Sequence, residues 1–422
     1  MSNLWYSARQ IFTHLSPNAR IMMLSEPFWA LPMAWMGIYL PIYMRSLGMN
    51  ERQIGWVTFA TVLGQLCGIT LAGWIADHWG RKKTLMTFDA ICWGIPLILW
   101  SVVVYASRPD YVFLTAAFFW GFGMIVSPAW MCNFTESATK EQTQNAFSLL
   151  WLILSSNGIF APVGGIMIKT MGTVPAIQWM MIISLITVSM GWTYRLINLH
   201  ETLPNHLPQN CPANNPINVI KDHWIASKWG WDQPLSRILL FSGLLHGFYA
   251  TLWNSFVPLY WTDPKGLGLS NSFVSLIPAV SSIATFLVIL LVLPQLRKKN
   301  GIGVLMGGTL LVTLGMSMML GSNIGFAGLI MGYAIFYAVG AGLFNPLRDT
   351  LWLLSLTRTD YRAKILAAVN LISLVINLPV GPLGGWLYQS HPAYPFIFCT
   401  ILSITNLGLL ITFFLNQRRI LK

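Results

Sequence analysis

Twelve long apolar stretches, each about the length of a membrane-crossing helix, recur along this chain and limit what it can fold into. They occupy roughly 21–45, 53–76, 84–106, 111–134, 144–168 and 175–197, then 237–261, 272–294, 302–321, 324–346, 365–388 and 395–416. A hydrocarbon core about 30 Å thick takes about 20 residues of helix, so each stretch reads as one span. Of all residues 55% are hydrophobic and 9% charged, whereas a soluble domain carries about a quarter charged. The expectation is an all-α membrane protein with twelve transmembrane helices in two pseudo-symmetric six-helix bundles. The divisions fall at 1–19 (a cytoplasmic or interfacial segment), 20–197 (first bundle), 198–235 (cytoplasmic linker), 236–417 (second bundle) and 418–422 (tail).

The net charge of +12 would suggest nucleic acid in a soluble protein. Here cationic residues collect in cytoplasmic loops instead. With both termini inside, the 25 Lys and Arg residues divide as 20 inside and 5 outside, the outer five being Arg45, Arg52, Arg108, Lys169 and Lys265. Arg195 counts among the inner twenty. The first apolar run continues to the length of a full span, so it does not read as a cleaved leader. Before it, Leu4, Trp5, Ala8, Ile11, Phe12 and Leu15 recur at helical spacing, which suits an interfacial helix and a mobile tail equally. The linker holds Pro204, Pro208, Pro212 and Pro216 and cannot span. Its later part, with Trp224, Trp229 and Trp231, suits the headgroup level. Cys67, Cys92, Cys132, Cys211 and Cys399 show neither metal-ligand nor redox spacing and read as inert thiols.

The two halves repeat. Pro41-Ile42-Tyr43 matches Pro258-Leu259-Tyr260, Arg81-Lys82-Lys83 matches Arg297-Lys298-Lys299, and Ser127-Pro128 matches Asn345-Pro346. Pro162-Val163-Gly164-Gly165 matches Pro382-Leu383-Gly384-Gly385, and all four offsets lie between 216 and 220 residues. Repeated halves of this kind enclose a central site and rock around it.

Between the second and third stretches the chain reads Gly73-Trp74-Ile75-Ala76-Asp77-His78-Trp79-Gly80-Arg81-Lys82-Lys83. This resembles the signature loop of the major facilitator superfamily, G-x-x-x-D-x-x-G-R-[RK]-[RK], in letters and in position. Leu47-Gly48-Met49-Asn50-Glu51-Arg52-Gln53-Ile54-Gly55 also looks like that family's first external loop. The resemblance implies a secondary transporter, not an enzyme, driven by a proton or sodium gradient without a bound cofactor. Its implied partners are the lipid bilayer and a small-molecule substrate, with no nucleic acid, and the expected state is a monomer in an inner or plasma membrane. Residue by residue it implies a gating latch of Gly73, Asp77, Gly80, Arg81 and Lys82, completed by Glu136. Gly73 lets a neighbouring helix approach closely, Gly80 permits the tight reversal, and Asp77 accepts from Arg81.

Three departures qualify the resemblance. The second-half loop, Leu293 to Lys299, lacks the acidic residue. The fourth span, Trp120 to Phe134, lacks the arginine that many proton antiporters carry there. The Pro162–Gly165 motif is one residue short of the antiporter form and reads better as glycine-mediated packing. No G-x-x-x-x-G-K-[ST] loop suggests ATP as the driver. A membrane-embedded enzyme would need clustered acid, base or metal ligands, which thirteen scattered acidic residues do not supply.

Ionisable groups inside a bilayer are costly and mark function by default. Glu26, ahead of Pro27 and Pro32, and Asp89 are therefore the candidates for proton coupling, the alternative being a carboxylate paired with a cytoplasmic Arg. The resemblance places the first, fourth, seventh and tenth helices around the substrate. The candidates there are Trp29, Met33, Trp130, His246, Tyr249, Trp253, Tyr333, Tyr337 and Asn345. Such an aromatic, weakly charged lining suits amphipathic or aromatic solutes better than phosphate or nitrate. Efflux of such compounds leads, with nutrient uptake second.

Overall fold

A computed structural model describes residues 12, 15–135, 150, 153–202, 231, 234–296, 301–322, 327–355 and 362–420. Among them the elements are helices joined by short turns. The first half contains α1 (Pro17–Ser25), α2 (Pro27–Ser46), α3 (Glu51–Trp79), α4 (Arg81–Val102), α5 (Pro109–Phe122), α6 (Ser127–Thr135), α7 (Ala161–Met171) and α8 (Thr173–Asn198). The second half contains α9 (Pro234–Thr262), α10 (Leu276–Leu287), α11 (Gly301–Leu320), α12 (Ala327–Ser355), α13 (Arg362–Asn377), α14 (Val380–Ser390) and α15 (Tyr394–Ile420). Ten stretches are long and apolar enough to cross a membrane. The other two expected spans are helical where described. The first is broken at Glu26 between α1 and α2, where Pro27 can donate no backbone hydrogen bond. The fifth, where described, is a 3₁₀ turn over Asn157–Phe160 followed by the eleven-residue α7.

Local chemistry sets the helix ends. Asn50 and Gln53 cap each other's backbone reciprocally at 2.9 Å each, which starts α3. Pro109 occupies the first turn of α5, where its missing N–H has no intrahelical partner to lose. Gly80, at φ +95°, turns the chain between Trp79 and Arg81 through a backbone region that a side chain would strain.

Contacts sort the chain into two compact units that cut across the sequence halves. One comprises Met1–Ala34, Ala60–Asn157 and Gln178–Ile217; the other comprises Trp35–Phe59, Gly158–Ile177 and Asn218–Lys422. The first unit packs Leu15, Met22, Met23, Leu85, Met86, Phe134 and Leu199 into one core. Leu15 and Ala19 thus belong to a core with Phe12 packed against it, while Leu4, Trp5, Ala8 and Ile11 lie outside the described residues. The second unit has a core around Leu239, Leu305, Phe344, Leu347, Ile365 and Leu410.

The second unit also contains Trp35–Phe59 and Gly158–Ile177, the outer ends (by the basic-residue count) of the first, second, fifth and sixth expected spans. Its tightest approach lies between α3 and α14. A Cβ on Gly55 would strike the carbonyl of Gly381, one on Gly381 the carbonyl of Gly55, and one on Gly385 would stand 2.6 Å from the Glu51 carbonyl. The α7 motif makes the matching approach: a Cβ on Gly165 would strike the Ser275 hydroxyl just before α10. The two glycine repeats are thus packing devices, each fitting a helix of the other sequence half.

Candidate functional site

The signature loop sits on α3, Gly80 and the first turn of α4. Asp77 and Arg81 form an ion pair one helical turn apart. The carboxylate of Glu201, just beyond α8, accepts from the backbone N–H of Arg81 at 2.8 Å and of Lys82 at 3.0 Å. It therefore caps α4, an end that has no side-chain cap of its own at Gly80. Among the described residues, a Cβ on Gly73 would meet nothing within 4 Å. Glu136, the expected completing acid, lies outside the described residues, as do Arg297, Lys298 and Lys299 of the second-half loop.

Deeper in the same unit, Glu26 and Asp89 share one cation. Arg195 Nη2 donates to Glu26 Oε1 at 2.6 Å, Nη1 to Asp89 Oδ2 at 3.5 Å, and Nε to Ser25 Oγ at 2.7 Å. Its guanidinium lies 4.0 Å from the Trp29 ring centroid. Arg195 is 3% exposed and turned inward, three residues before the end of α8. A guanidinium offers a planar fork of donors, which lets one residue bind two carboxylates and a hydroxyl together. Counted as ionised, the three side chains bring one positive and two negative formal charges together.

The remaining candidates fall into two settings. In the second unit His246 is buried, with Nδ1 2.7 Å from the Tyr249 hydroxyl and its ring centroid 4.4 Å from that of Phe344. Trp253 Nε1 donates to the Tyr333 hydroxyl at 3.0 Å, and the Trp253 ring stacks on Tyr337 at 5.9 Å and meets Phe396 edge-on at 5.1 Å. Tyr249, Trp253 and Tyr333 are buried, while Tyr337 is half-buried. Asn345 is half-buried near the Pro346 position of α12. In the first unit Trp29 is buried beneath Arg195, Met33 is exposed, and the half-buried Trp130 stacks on Phe134 at 5.1 Å. Trp253 of α9 and Tyr333 and Tyr337 of α12 therefore meet in one aromatic cluster within the second unit.

Sequence reasoning missed a polar cluster that ties the outer end of α2 to the second half. Arg45 Nη2 donates to Asp263 Oδ2 at 2.8 Å, and the Tyr388 hydroxyl donates to the same oxygen at 3.1 Å. Glu51 stands 3.9 Å from the same guanidinium, and the Lys265 N–H donates to Asp263 Oδ1 at 2.8 Å. Burial pushes the Asp263 carboxyl up, but the Lys265 N–H, the Arg45 guanidinium and the Tyr388 hydroxyl together outweigh it and hold the group below the usual range. A carboxyl depressed in the folded state adds stability above its unfolded pKa of about 3.9, and that stability is lost as pH falls through the lower folded value. Asp263→Asn should thus lower thermal stability at neutral pH, with the gap to wild type closing only in strong acid. A gap that stays constant down to the acid limit would reject the assignment.

The Major Facilitator Superfamily family model matches residues 28–376 of the chain. A putative metabolite transport protein of Haemophilus influenzae is 30% identical over 129 residues, which is 30% of this chain and 30% of that protein. The matched stretch thus spans less than a third of that relative's length. Among solved structures, a point variant of the nucleoside transporter NupG superposes with a TM-score of 0.69 at 15% identity, covering 96% of this chain and all (100%) of the other. The POT family transporter PepTSo gives 0.68 at 14% identity over 96% and 98% of the two chains. The human organic anion transporter MFSD10 gives 0.61 at 12% over 96% and 99%. At these identities the likeness is one of fold. The signature loop, the paired halves and a family match over most of the length agree: the chain is a multi-pass membrane transporter belonging to the Major Facilitator Superfamily.

Proposed function

We propose that the protein is a proton-coupled secondary transporter that exports small amphipathic or aromatic compounds by alternating access. The observation that carries the coupling is the cluster of Arg195 with Glu26 and Asp89. One guanidinium against two carboxylates leaves a formal charge of −1 in an apolar setting, and a single proton brings it to zero. Charge at membrane depth costs at least about 2.5–3.5 kcal/mol, so gain and loss of that proton is a large energetic event. Glu26 stands at the break between α1 and α2, so its protonation acts where the first span is jointed. The aromatic cluster of Trp253, Tyr333 and Tyr337 supports a flat or amphipathic solute, because ring faces and hydroxyls offer stacking with few fixed charges. A proton-dependent oligopeptide transporter among the solved relatives of the same fold is in keeping with proton drive. The orientation supported by the basic-residue count puts both termini in the cytoplasm.

Uptake of a metabolite is the second reading, favoured by the stretch of 129 residues shared with the putative metabolite transport protein. Drug susceptibility of an overexpressing strain, set against growth on single nutrients, separates the two. For coupling, Glu26→Gln in proteoliposomes should abolish flux driven by an imposed pH gradient yet retain substrate exchange at equal pH on both sides. Driven flux at the wild-type level would refute the assignment of Glu26.

A further inference from the structure

A groove of about 560 Å³ opens on the first unit between the start of α4 and the end of α8. Its volume lies within the ~300–1,000 Å³ of small-molecule sites, and none of its lining residues belongs to the Arg195 cluster. Lys82 and Lys83 stand at its rim, where α4 begins, and Met86, Ala90, Ile91, Trp192 and Leu196 line its flank.

The rim is cationic and the flank apolar, and the order follows the depth of a bilayer. Lys82 and Lys83 are the second and third residues of a helix long enough to span, so their ammonium groups lie at headgroup level. Trp79, over whose ring Lys83 lies at 5.7 Å, belongs to that level too. Below them Trp192 is held rigidly by its Nε1 donation to the Met86 carbonyl at 2.8 Å, which keeps the wall in place. Leu196 remains 39% exposed beside it. Glu201 also borders the groove, but its carboxylate accepts from the Arg81 and Lys82 backbone. It is thereby held against the start of α4, where Lys83 is exposed and Lys82 half-buried.

We infer that this groove binds an anionic glycerophospholipid, its phosphate on Lys82 and Lys83 and an acyl chain along Met86, Ile91 and Leu196. The complementarity is twofold: two ammonium groups meet one phosphodiester, and a polar rim above an apolar wall meets an amphiphile in the orientation the membrane already imposes. Because Lys82 belongs to the signature loop, a lipid seated here would touch the element that gates the transporter.

The test uses the full-length protein in nanodiscs of phosphatidylcholine alone, or of phosphatidylcholine doped with phosphatidylglycerol, read by lipid retention in native mass spectrometry and by thermal stability. Phosphatidylglycerol should be retained and should raise the melting temperature. Each lysine near an anionic lipid contributes enough for about a fivefold change in affinity, so K82A/K83A should weaken retention by roughly 25-fold. Ala90→Trp, which fills the groove and keeps both lysines, should weaken it as well. Should either variant fail to fold, Lys83→Ala alone carries the test at about fivefold. Equal retention of phosphatidylcholine and phosphatidylglycerol by the wild-type protein would overturn the proposal. Inorganic phosphate giving the same stabilisation in undoped discs would overturn it too, as would phosphatidylglycerol retention unchanged by the lysine substitutions.

Discussion

Replacing Arg195 with Met is expected to destabilise the protein by about 3–5 kcal/mol, the typical result of removing one partner from a buried ion pair. Glu26 and Asp89 would remain in an apolar setting with their shared cation gone, and Ser25 and Trp29 would lose the group they contact. Neutralising the acids as well should recover much of the loss, because a buried cluster replaced as a whole by uncharged side chains is often neutral in stability. Thermal unfolding of purified Arg195→Met, set beside the Glu26→Gln, Asp89→Asn, Arg195→Met triple variant, checks both statements. A single variant as stable as wild type would show that the three residues do not act as a charge unit. The comparison also separates coupling from folding: Glu26→Gln leaves one cation with one anion and should fold well, so its loss of driven flux reports on proton movement.

Gly55→Leu is expected to prevent the contact between α3 and α14 and to suppress transport. A Cβ there already meets the Gly381 carbonyl, and the facing positions on both helices are backbone. Backbone cannot swing aside as a long side chain can. Overpacking of this kind costs about 1–3 kcal/mol, charged only to conformations in which the contact forms. A difference of that size shifts a two-state equilibrium by about 5- to 150-fold. Flux in proteoliposomes should fall accordingly. In a background without the native cysteines, a cysteine at the buried Tyr39 should react faster with a membrane-impermeant maleimide. Unchanged flux together with unchanged labelling would show that the contact does not restrict the transport cycle.

Much of the fold was legible because its signals are local. Length and apolarity mark spans, and the Gly73–Lys83 loop names its own family. Breaks inside a span are less legible, as at Glu26-Pro27 in the first and around Asn157–Phe160 in the fifth. The site was less legible because its contacts are long-range. Arg195 lies 169 residues from Glu26 and 106 from Asp89, and a count of cations near helix ends cannot distinguish a loop arginine from one turned inward. An available signal was the presence of two carboxylates at similar depth, which required a cation on a neighbouring span. Glu201 was missed because its neighbours read as linker, yet its carboxylate caps a helix begun 120 residues earlier. His246 and Tyr249, three residues apart on α9, meet in buried packing.

The Arg45–Asp263 pair has a consequence for how the chain tolerates substitution. The two residues are 218 positions apart, whereas the neighbouring repeat, Pro41–Tyr43 with Pro258–Tyr260, is offset by 217. By that register Arg45 has Thr262 as its counterpart and Asp263 has Ser46, so neither charge is repeated in the other half. The attraction is one-sided, and a single substitution at either residue removes it with no second copy to take its place.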